Sequence, residues 1–391
     1  MEHYIFYCKL SLLAVLSLIT ACCMLSRRWY VNLAAFLACL SGETFLAHLF
    51  FPGYMLCPAA ASFIILFLSR IWDLSRTPAK GNGADPIRLP VRSGIRESRL
   101  EFYYYYSNFL VYGGAGSGKT KSIGKWLLSE YMRLGFAGFI YDFKDTDYTR
   151  TAYNLIKRHR YPHKFYYVSF DRPERSYRFN PLKVVRDRTE LIQLMEDVLL
   201  ALLPKKEQQN EWVAGGLGIL RGVAFRFWDE FPEHCTLPHI LAFIMTASAR
   251  QLSLFLQQNL VSEMLAGAYL KAEGSEKTQA SYLSTLCNNL ATVSQNEEIA
   301  YVLSGDDFDF NLIDPENPKL FAVSNNFSKN SVYAPVISML MTISARQFSM
   351  QNRVPFVYFL DEMTTVNIKN FETLPSVLRE YKAAFILLTQ S

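Results

Sequence analysis

A glycine-rich segment at residues 113–120 constrains the fold of this chain more than any other feature. It reads G-G-A-G-S-G-K-T, the full G-x-x-x-x-G-K-[ST] pattern, and it lies between an apolar, β-prone run at 108–112 and a helical stretch at 121–133. Glycines let the backbone turn its N–H groups inward toward phosphate oxygens, and a following helix adds favourable partial charge at its N-terminus. The sequence therefore predicts a phosphate-binding loop between a strand and a helix.

The residues of this loop suggest which ligands it takes. The predicted loop consists of Gly113, Gly114, Ala115, Gly116, Ser117, Gly118, Lys119 and Thr120. Lys119 can reach the β- and γ-phosphates of a nucleotide, and the Thr120 hydroxyl can coordinate Mg²⁺. We therefore predict ATP and Mg²⁺ as cofactors.

A pair of acids far downstream is the second half of the predicted site. Residues 355–360 are an apolar run typical of a buried strand, and Asp361 and Glu362 follow it directly. An acid at the end of such a strand can hold the water shell of Mg²⁺, and a neighbouring glutamate can activate the attacking water. This pattern is weak alone, but together with the glycine loop it predicts an ATP hydrolase.

Two further candidates lie near the end of the chain. A strand predicted at 384–388 is followed by Thr389 and Gln390, and Arg379 precedes it. Gln390 can orient water or sense the γ-phosphate, or it is only a polar strand end. Arg379 can act as an arginine finger in a neighbouring subunit, or it belongs to the surface of a helix. The sequence leaves both alternatives open.

Short apolar strands alternate with helices between these motifs. Strands are predicted at 139–142, 164–170 and 320–324, and a helix is predicted at 331–348. This βαβ alternation indicates an α/β fold with a mostly parallel sheet. Residues 187–300 are largely helical; within 189–203, for example, the apolar residues fall on one helical face. We predict a P-loop nucleotide-binding domain at 100–186 and 301–391, with an all-α domain inserted at 187–300.

The first 72 residues predict a membrane anchor. Apolar stretches lie at 4–25, 31–51 and 55–69. A spanning helix needs about 20 apolar residues, and the basic residues after the first and third stretches belong in the cytoplasm by the positive-inside rule. We expect two or three helical transmembrane spans at 1–72, a juxtamembrane linker at 73–99 and a multi-pass location in the inner membrane, with the ATPase domain in the cytoplasm. The alternative is a cleaved signal ending near Cys22.

Composition excludes several other classes of protein. A chain of 391 residues that is 50% apolar is far from disordered. Five of its seven cysteines lie in the first 60 residues, and no pair has C-x-x-C spacing, so neither a disulfide scaffold nor a structural zinc site is indicated. The basic region at 144–188 is typical of a nucleic-acid path, of a solvated face and of a surface near anionic lipid, and the sequence does not separate these.

The motifs together resemble those of the type IV coupling proteins, the hexameric ATPases that feed conjugative DNA into type IV secretion channels. Residues 141–144, Y-D-F-K, are similar to the family's second-strand motif, and residues 180–182 to its N-P-L turn. Residues 305–308, G-D-D-F, with D-P at 314–315 and N-N at 325–326, are similar to the mobilisation-protein branch.

This resemblance implies a RecA-like domain and a role for each matching residue. Lys119 and Thr120 match the phosphate and Mg²⁺ residues, and Asp361 and Glu362 match the Mg²⁺ and water-activating acids. Gln390 matches the sensor glutamine, and Arg379 is a candidate finger. The implied partners are single-stranded DNA, a relaxase or relaxosome, components of the type IV secretion channel, the membrane and further copies of the chain in a homo-hexamer.

The resemblance also carries a departure and two alternatives. Family chains continue past the sensor glutamine, so we expect this chain to be truncated at its C-terminus. The alternatives are a DNA translocase of the chromosome-segregation type and an inactive membrane scaffold derived from the same fold.

Overall fold

The structure is a computed structural model, and it describes most of the chain from residue 85 onward. The described residues are Ile5, Phe45, 85–93, 96–114, 116–143, 146–203, 208, 210–368 and 370–390. Residues 85–391 form one compact unit, to which the account below applies.

Six parallel strands form the central sheet of this unit, and two antiparallel strands form a separate hairpin. The strands are β1 Ile87–Ser93, β2 Arg96–Phe102, β3 Phe109–Tyr112, β4 Ala137–Asp142, β5 Lys164–Ser169, β6 Lys319–Ser324, β7 Phe356–Asp361 and β8 Ala383–Thr389. The order across the sheet is β3-β8-β7-β4-β6-β5, and every neighbouring pair is parallel. The predicted α/β fold with a mostly parallel sheet is thereby confirmed.

Helices connect the strands and cover the sheet. They are α1 Lys125–Arg133, α2 Asp147–His159, α3 Arg188–Leu202, α4 Glu211–Glu230, α5 Leu237–Thr246, α6 Ala249–Gln257, α7 Leu260–Leu265, α8 Gly267–Lys271, α9 Glu276–Ser294, α10 Glu297–Leu303, α11 Asn330–Arg346 and α12 Leu374–Glu380. A π-helical turn, Thr120–Gly124, leads into α1.

The strand β7 shows why this sheet is buried on both faces. All six of its residues are buried, and the first five alternate between two apolar cores. Phe356, Tyr358 and Leu360 pack into the core shared with α3–α6, α9 and α11, whereas Val357 and Phe359 pack into the core beneath α1 and α2. Continuous apolar runs of this kind are typical of parallel strands covered by helices on both sides.

The helical segment α3–α10 lies between β5 and β6 in the chain, and its two ends are joined. The N–H of Arg178 donates to Asp307 Oδ2 at 2.7 Å, and the N–H of Asp307 donates to the Arg178 carbonyl at 2.8 Å. Phe308 stacks on Tyr166 of β5 at 4.1 Å between ring centroids. Since the segment shares its core with one face of the sheet, the boundaries at 187 and 300 and its status as a separate domain stay a prediction.

Part of the predicted linker is a β-hairpin. β1 and β2 pair from Ile87 opposite Phe102 to Ser93 opposite Arg96. The hairpin is tied to α1, because Glu130 Oε2 accepts a 2.8 Å hydrogen bond from the N–H of Arg88. Prolines, glycines and charges indicated a linker here, but polar and apolar side chains alternate along β1 and along the second half of β2, which is the pattern of a half-exposed sheet. The rest of the predicted linker, up to residue 84, lies outside the described residues.

The lengths and compositions of the described helices contradict the predicted membrane location. Among the described residues, no helix combines the length and the apolar character that crossing a bilayer requires. The 20-residue α4 is long enough, but it carries Glu211, Arg221, Arg226, Asp229 and Glu230, whereas a span needs about 20 mostly apolar residues. Apart from Ile5 and Phe45, the apolar stretches predicted as spans lie outside the described residues. The multi-pass inner-membrane prediction is not retained.

Candidate nucleotide site

The topology of the sheet brings three predicted elements to one edge. β8 lies between β3 and β7, and its parallel register sets Thr389 opposite Tyr112 and Leu388 opposite Asp361. The glycine loop after β3, Gln390 after β8 and the acids at the end of β7 therefore share the carboxyl edge of the sheet. In open α/β sheets this is the edge at which ligands bind.

The backbone of the glycine loop adopts conformations that glycine permits and most residues do not. Gly116 has φ +74° and Gly118 has φ +84°. A Cβ atom on Gly114 or Gly116 would meet no atom within 4 Å, so the space beside these two glycines is open. The N–H of Gly113 donates to the Thr389 carbonyl at 3.3 Å, which ties the start of the loop to β8. Ala115 of the predicted loop lies outside the described residues.

Lys119 connects this loop to the neighbouring strands. Its Nζ donates hydrogen bonds to the carbonyls of Gly113 and Thr389, the latter at 2.9 Å. The same Nζ lies 3.8 Å from Glu362 Oε1, and both side chains are more than nine-tenths buried. Lys119 Nζ therefore lies near three oxygen acceptors at the start of the loop, and its contact with a phosphate stays a prediction.

Glu362 is the point at which the predicted catalytic residues meet. Its Oε1 accepts a 2.5 Å hydrogen bond from the Gln390 side-chain amide and faces Lys119. Its backbone is left-handed, with φ 51° and ψ 54°. The structure thus brings together Lys119, Glu362 and Gln390, which lie far apart in sequence.

Thr120 and Asp361 border the same buried polar region around Tyr148. Burial raises the pKa of the Tyr148 hydroxyl; contact with Thr120 opposes the rise, while the nearby carboxylates of Asp361 and Asp142 add to it. Asp142 accepts from the N–H and the hydroxyl of Thr149 at 2.8 and 2.9 Å. A hydroxyl and a carboxylate are oxygen donors of the kind that Mg²⁺ prefers.

The donor set fits a metal that arrives with its nucleotide. In the part of the chain that the structure describes, no three His, Cys, Asp or Glu side chains form a group able to hold a metal ion by themselves. Mg²⁺ usually keeps several waters and is held by one or two carboxylates plus substrate phosphates. Thr120 and Asp361 match that pattern.

Arg379 is not part of this cluster. It lies exposed in the last turn of α12, and its side chain makes no ion pair with any described residue. The structure of one chain therefore leaves Arg379 available at the surface, as either interpretation of the sequence requires.

Sequence analysis missed the residues that support the cluster. Tyr148 lies beside Thr120, and Tyr141, Asn325 and Thr365 form a hydrogen-bonded chain that ends on Glu362. Tyr141 and Asn325 fall in motifs noted above, but nothing in those motifs indicated that their side chains meet.

Comparison with known families decides what kind of protein carries this site. The family described as type IV secretory system conjugative DNA transfer matches residues 92–391. This chain belongs to that family. The resemblance to type IV coupling proteins is thereby confirmed.

Solved structures agree with this membership of the conjugative DNA transfer family at the level of fold. The bacterial conjugative coupling protein TrwBdeltaN70, in an unbound form, superimposes with a TM-score of 0.59 at 16% identity, over 83% of this chain and 68% of its own. Structures of TrwB with the ATP analogue ADPNP and with ADP and Mg²⁺ also give 0.59 at 16% identity, over 83% and 70% of the two chains. No curated protein sequence matches this chain significantly.

Proposed function

We propose that this chain is an ATP hydrolase that couples hydrolysis to the delivery of single-stranded DNA, alone or joined to a relaxase, into a type IV secretion channel. The observation that supports this best is the convergence of Lys119 and Gln390 on the buried Glu362, at the edge where the glycine loop opens. Membership of the conjugative transfer family favours this cargo over that of a segregation translocase.

The loop and the acids would divide the chemistry between them. The loop backbone binds the phosphates, and Thr120 and Asp361 would hold Mg²⁺, which supplies positive charge to the phosphate oxygens when bound. TrwB, which has the same fold, has been solved with ADP and Mg²⁺. Lys119 stabilises the charge that develops on the γ-phosphate.

Glu362 is proposed as the group that takes a proton from the attacking water. Its neighbours suit that role, since the Gln390 amide can only donate toward Oε1 and Lys119 adds a positive charge at 3.8 Å. Both contacts hold Oε1 of the carboxylate in one place. Gln390 then fixes the carboxylate and orients the water.

Single-stranded DNA is proposed to contact the same edge of the sheet. Phe327 lies in the turn after β6 and is 80% exposed, although its ring packs edge-on against Phe143. The turn is held in place by Asp171, which binds Lys329 at 2.9 Å and Asn326 at 3.2 Å. An exposed aromatic ring on a fixed turn is suited to stacking on a base.

Assembly into a ring is proposed for the complete motor. Arg379 is exposed in the helix before β8, the strand that Gln390 follows. In a homo-hexamer this arginine would enter the nucleotide site of the next subunit, where a cation stabilises the transferring phosphoryl group.

The decisive experiment measures ATP turnover of the purified chain with and without single-stranded DNA. Lys119→Ala should abolish turnover, because no other lysine contacts the start of the loop in the described part of the chain. Lys121→Ala is the matched control, since Lys121 is exposed two residues further on and should tolerate the change. Wild-type turnover in Lys119→Ala would overturn the proposal.

A further inference from the structure

The backbone of Glu362 needs support from its surroundings. A φ of 51° places a residue with a Cβ in the left-handed region, where such residues are uncommon. Residues held in these conformations cluster at functional sites and persist only where the surrounding structure over-determines them. The contacts of Glu362 with the next turn should therefore show what holds it.

Thr365 supplies the first layer of this support. Its N–H and its hydroxyl both donate to the main-chain carbonyl of Glu362, at 2.9 and 2.7 Å. The short 3₁₀ turn Met363–Thr365 thus closes back onto the residue that carries the carboxylate. The hydroxyl of Thr365 has only one hydrogen, and that hydrogen is used in this contact.

Tyr141 supplies the second layer. Its hydroxyl lies 2.6 Å from Thr365 Oγ1, and since the Thr365 hydrogen points at Glu362, Tyr141 must be the donor. Asn325 Nδ2 in turn donates to the Tyr141 hydroxyl at 2.9 Å, and also to Asn330 Oδ1 at 2.7 Å. Each group in the chain from Asn325 to Glu362 therefore has one hydrogen-bonding arrangement.

Burial keeps this arrangement in place. Tyr141 is fully buried at the end of β4, and burial raises the pKa of its hydroxyl to about 12. The hydroxyl therefore remains a donor at any pH at which the protein would work. The chain links three separate segments: the end of β6, the end of β4 and the turn after β7.

We propose that Tyr141 is a positioning residue for hydrolysis: through Thr365 it fixes the peptide of Glu362, and so aims the carboxylate at the site occupied by Lys119 and Gln390. This inference rests on the proposed role of Glu362 as the base. The relay ends on the main chain of Glu362 itself, so loosening it moves the carboxylate while the glycine loop stays where it is. A misplacement of about 1 Å can cost about 100-fold in rate.

The test compares two tyrosines that lose only a hydroxyl. Tyr141→Phe should lower kcat at least tenfold and leave KM for ATP within about twofold. Tyr358→Phe is the matched control, because Tyr358 is 1% exposed in the adjacent strand β7 and its hydroxyl lies 3.0 Å from the Ser344 hydroxyl, away from Glu362. Tyr358→Phe should keep the wild-type kcat with a comparable shift in melting temperature.

A second pair of variants, at Thr365, tests the same hydrogen-bonded chain from Tyr141 through Thr365 to Glu362. Thr365→Val removes the relaying hydroxyl and should match Tyr141→Phe, whereas Thr365→Ser keeps it and should preserve kcat. The double variant Tyr141→Phe/Thr365→Val should be no slower than either single variant, since both break one connected chain. If Tyr141→Phe fails to fold, the Thr365 pair decides the question.

The outcomes separate this inference from the proposed function. Absence of hydrolysis in the wild-type chain would overturn both. If the wild type hydrolyses ATP and Glu362→Gln does not, but Tyr141→Phe keeps the wild-type kcat, the positioning role is wrong while the proposed function stands. An equal loss of kcat in Tyr141→Phe and Tyr358→Phe would mean a general packing effect, and would also overturn the inference.

Discussion

The side-chain amide of Gln390 donates a 2.5 Å hydrogen bond to the carboxylate of Glu362, joining the ends of two neighbouring strands, β8 and β7. The amide can only donate at this nitrogen, so the carboxylate oxygen is the acceptor and the contact orients it. Gln390 thus contacts the proposed base, and its role in orienting water or sensing the γ-phosphate stays a prediction.

Replacing Glu362 with glutamine should separate nucleotide binding from hydrolysis. Glu362→Gln removes the proposed base and leaves the glycine loop and Asp361 unchanged. ATP binding should therefore persist while turnover falls by about 10²- to 10⁴-fold. Binding of a fluorescent ATP analogue and single-turnover hydrolysis would measure the two effects. Glu380→Gln, an exposed glutamate on α12, is the control. Loss of nucleotide binding in Glu362→Gln would assign this residue to the metal site or to the fold.

Mixing two inactive variants should reveal whether Arg379 acts between subunits. Neither Arg379→Ala nor Lys119→Ala should hydrolyse ATP alone, since an arginine finger is worth about 10³-fold or more in rate. In mixed oligomers some interfaces combine an intact loop with an intact arginine, so part of the activity should return. If no activity returns in oligomers shown to be mixed, Arg379 is a surface residue, whose ion pairs would contribute under about 1 kcal/mol.

Removing the ring of Phe327 should weaken the binding of single-stranded DNA about tenfold, which corresponds to the loss of one stacked base. Met350→Ala is the matched control: Met350 is 78% exposed, but it precedes β7 and so lies at the opposite edge of the sheet. Fluorescence anisotropy with oligonucleotides of mixed sequence would measure both affinities. Binding should be tolerant of sequence and fall steeply with salt, because phosphate contacts release counterions. Salt-insensitive, sequence-specific binding would contradict this prediction.

Acid should loosen the Phe327 turn through Asp171. A hydrogen bond from Lys329, with a second from Asn326, lowers the pKa of Asp171 below its ordinary value of 3.8. The stabilisation is therefore present above pH 3.8 and is lost as the pH falls through the lowered pKa. Melting temperatures measured from pH 6 down to pH 2 should fall less steeply for Asp171→Asn than for the wild type. Glu174→Gln, an exposed neighbour, should follow the wild-type curve.

Much of the regular structure could be predicted from local pattern. The helix predicted at 189–203 is α3 at Arg188–Leu202, and the strand predicted at 320–324 is β6 at Lys319–Ser324. The helix has apolar residues at helical spacing and the strand is a short apolar run, and both patterns can be recognised from neighbouring residues alone. No apolar periodicity indicated the π-helical turn after the glycine loop. This turn packs tightly against Tyr148, a contact between residues distant in sequence: a Cβ on Gly124 would lie 2.3 Å from the Tyr148 hydroxyl.

Some contacts in the candidate site could be predicted from the sequence, and others could not. The meeting of Lys119, Glu362 and Gln390 follows from three strand ends, because parallel strands place their carboxyl ends at one edge. The relay from Asn325 through Tyr141 to Thr365 does not follow, because it depends on which rotamers three distant segments adopt once packed. No spacing in the sequence encodes that contact.

The reciprocal hydrogen bonds between Arg178 and Asp307 hold the two ends of the helical segment next to each other. The chain leaves the sheet and returns to it at adjacent points, and insertions whose ends lie close together are the ones that domains accept. A segment of another length from a relative would have to meet these two points and also pack against the same face of the sheet. Lys119 and Glu362 both lie outside residues 179–306, so a segment that meets these conditions would leave the two residues in register.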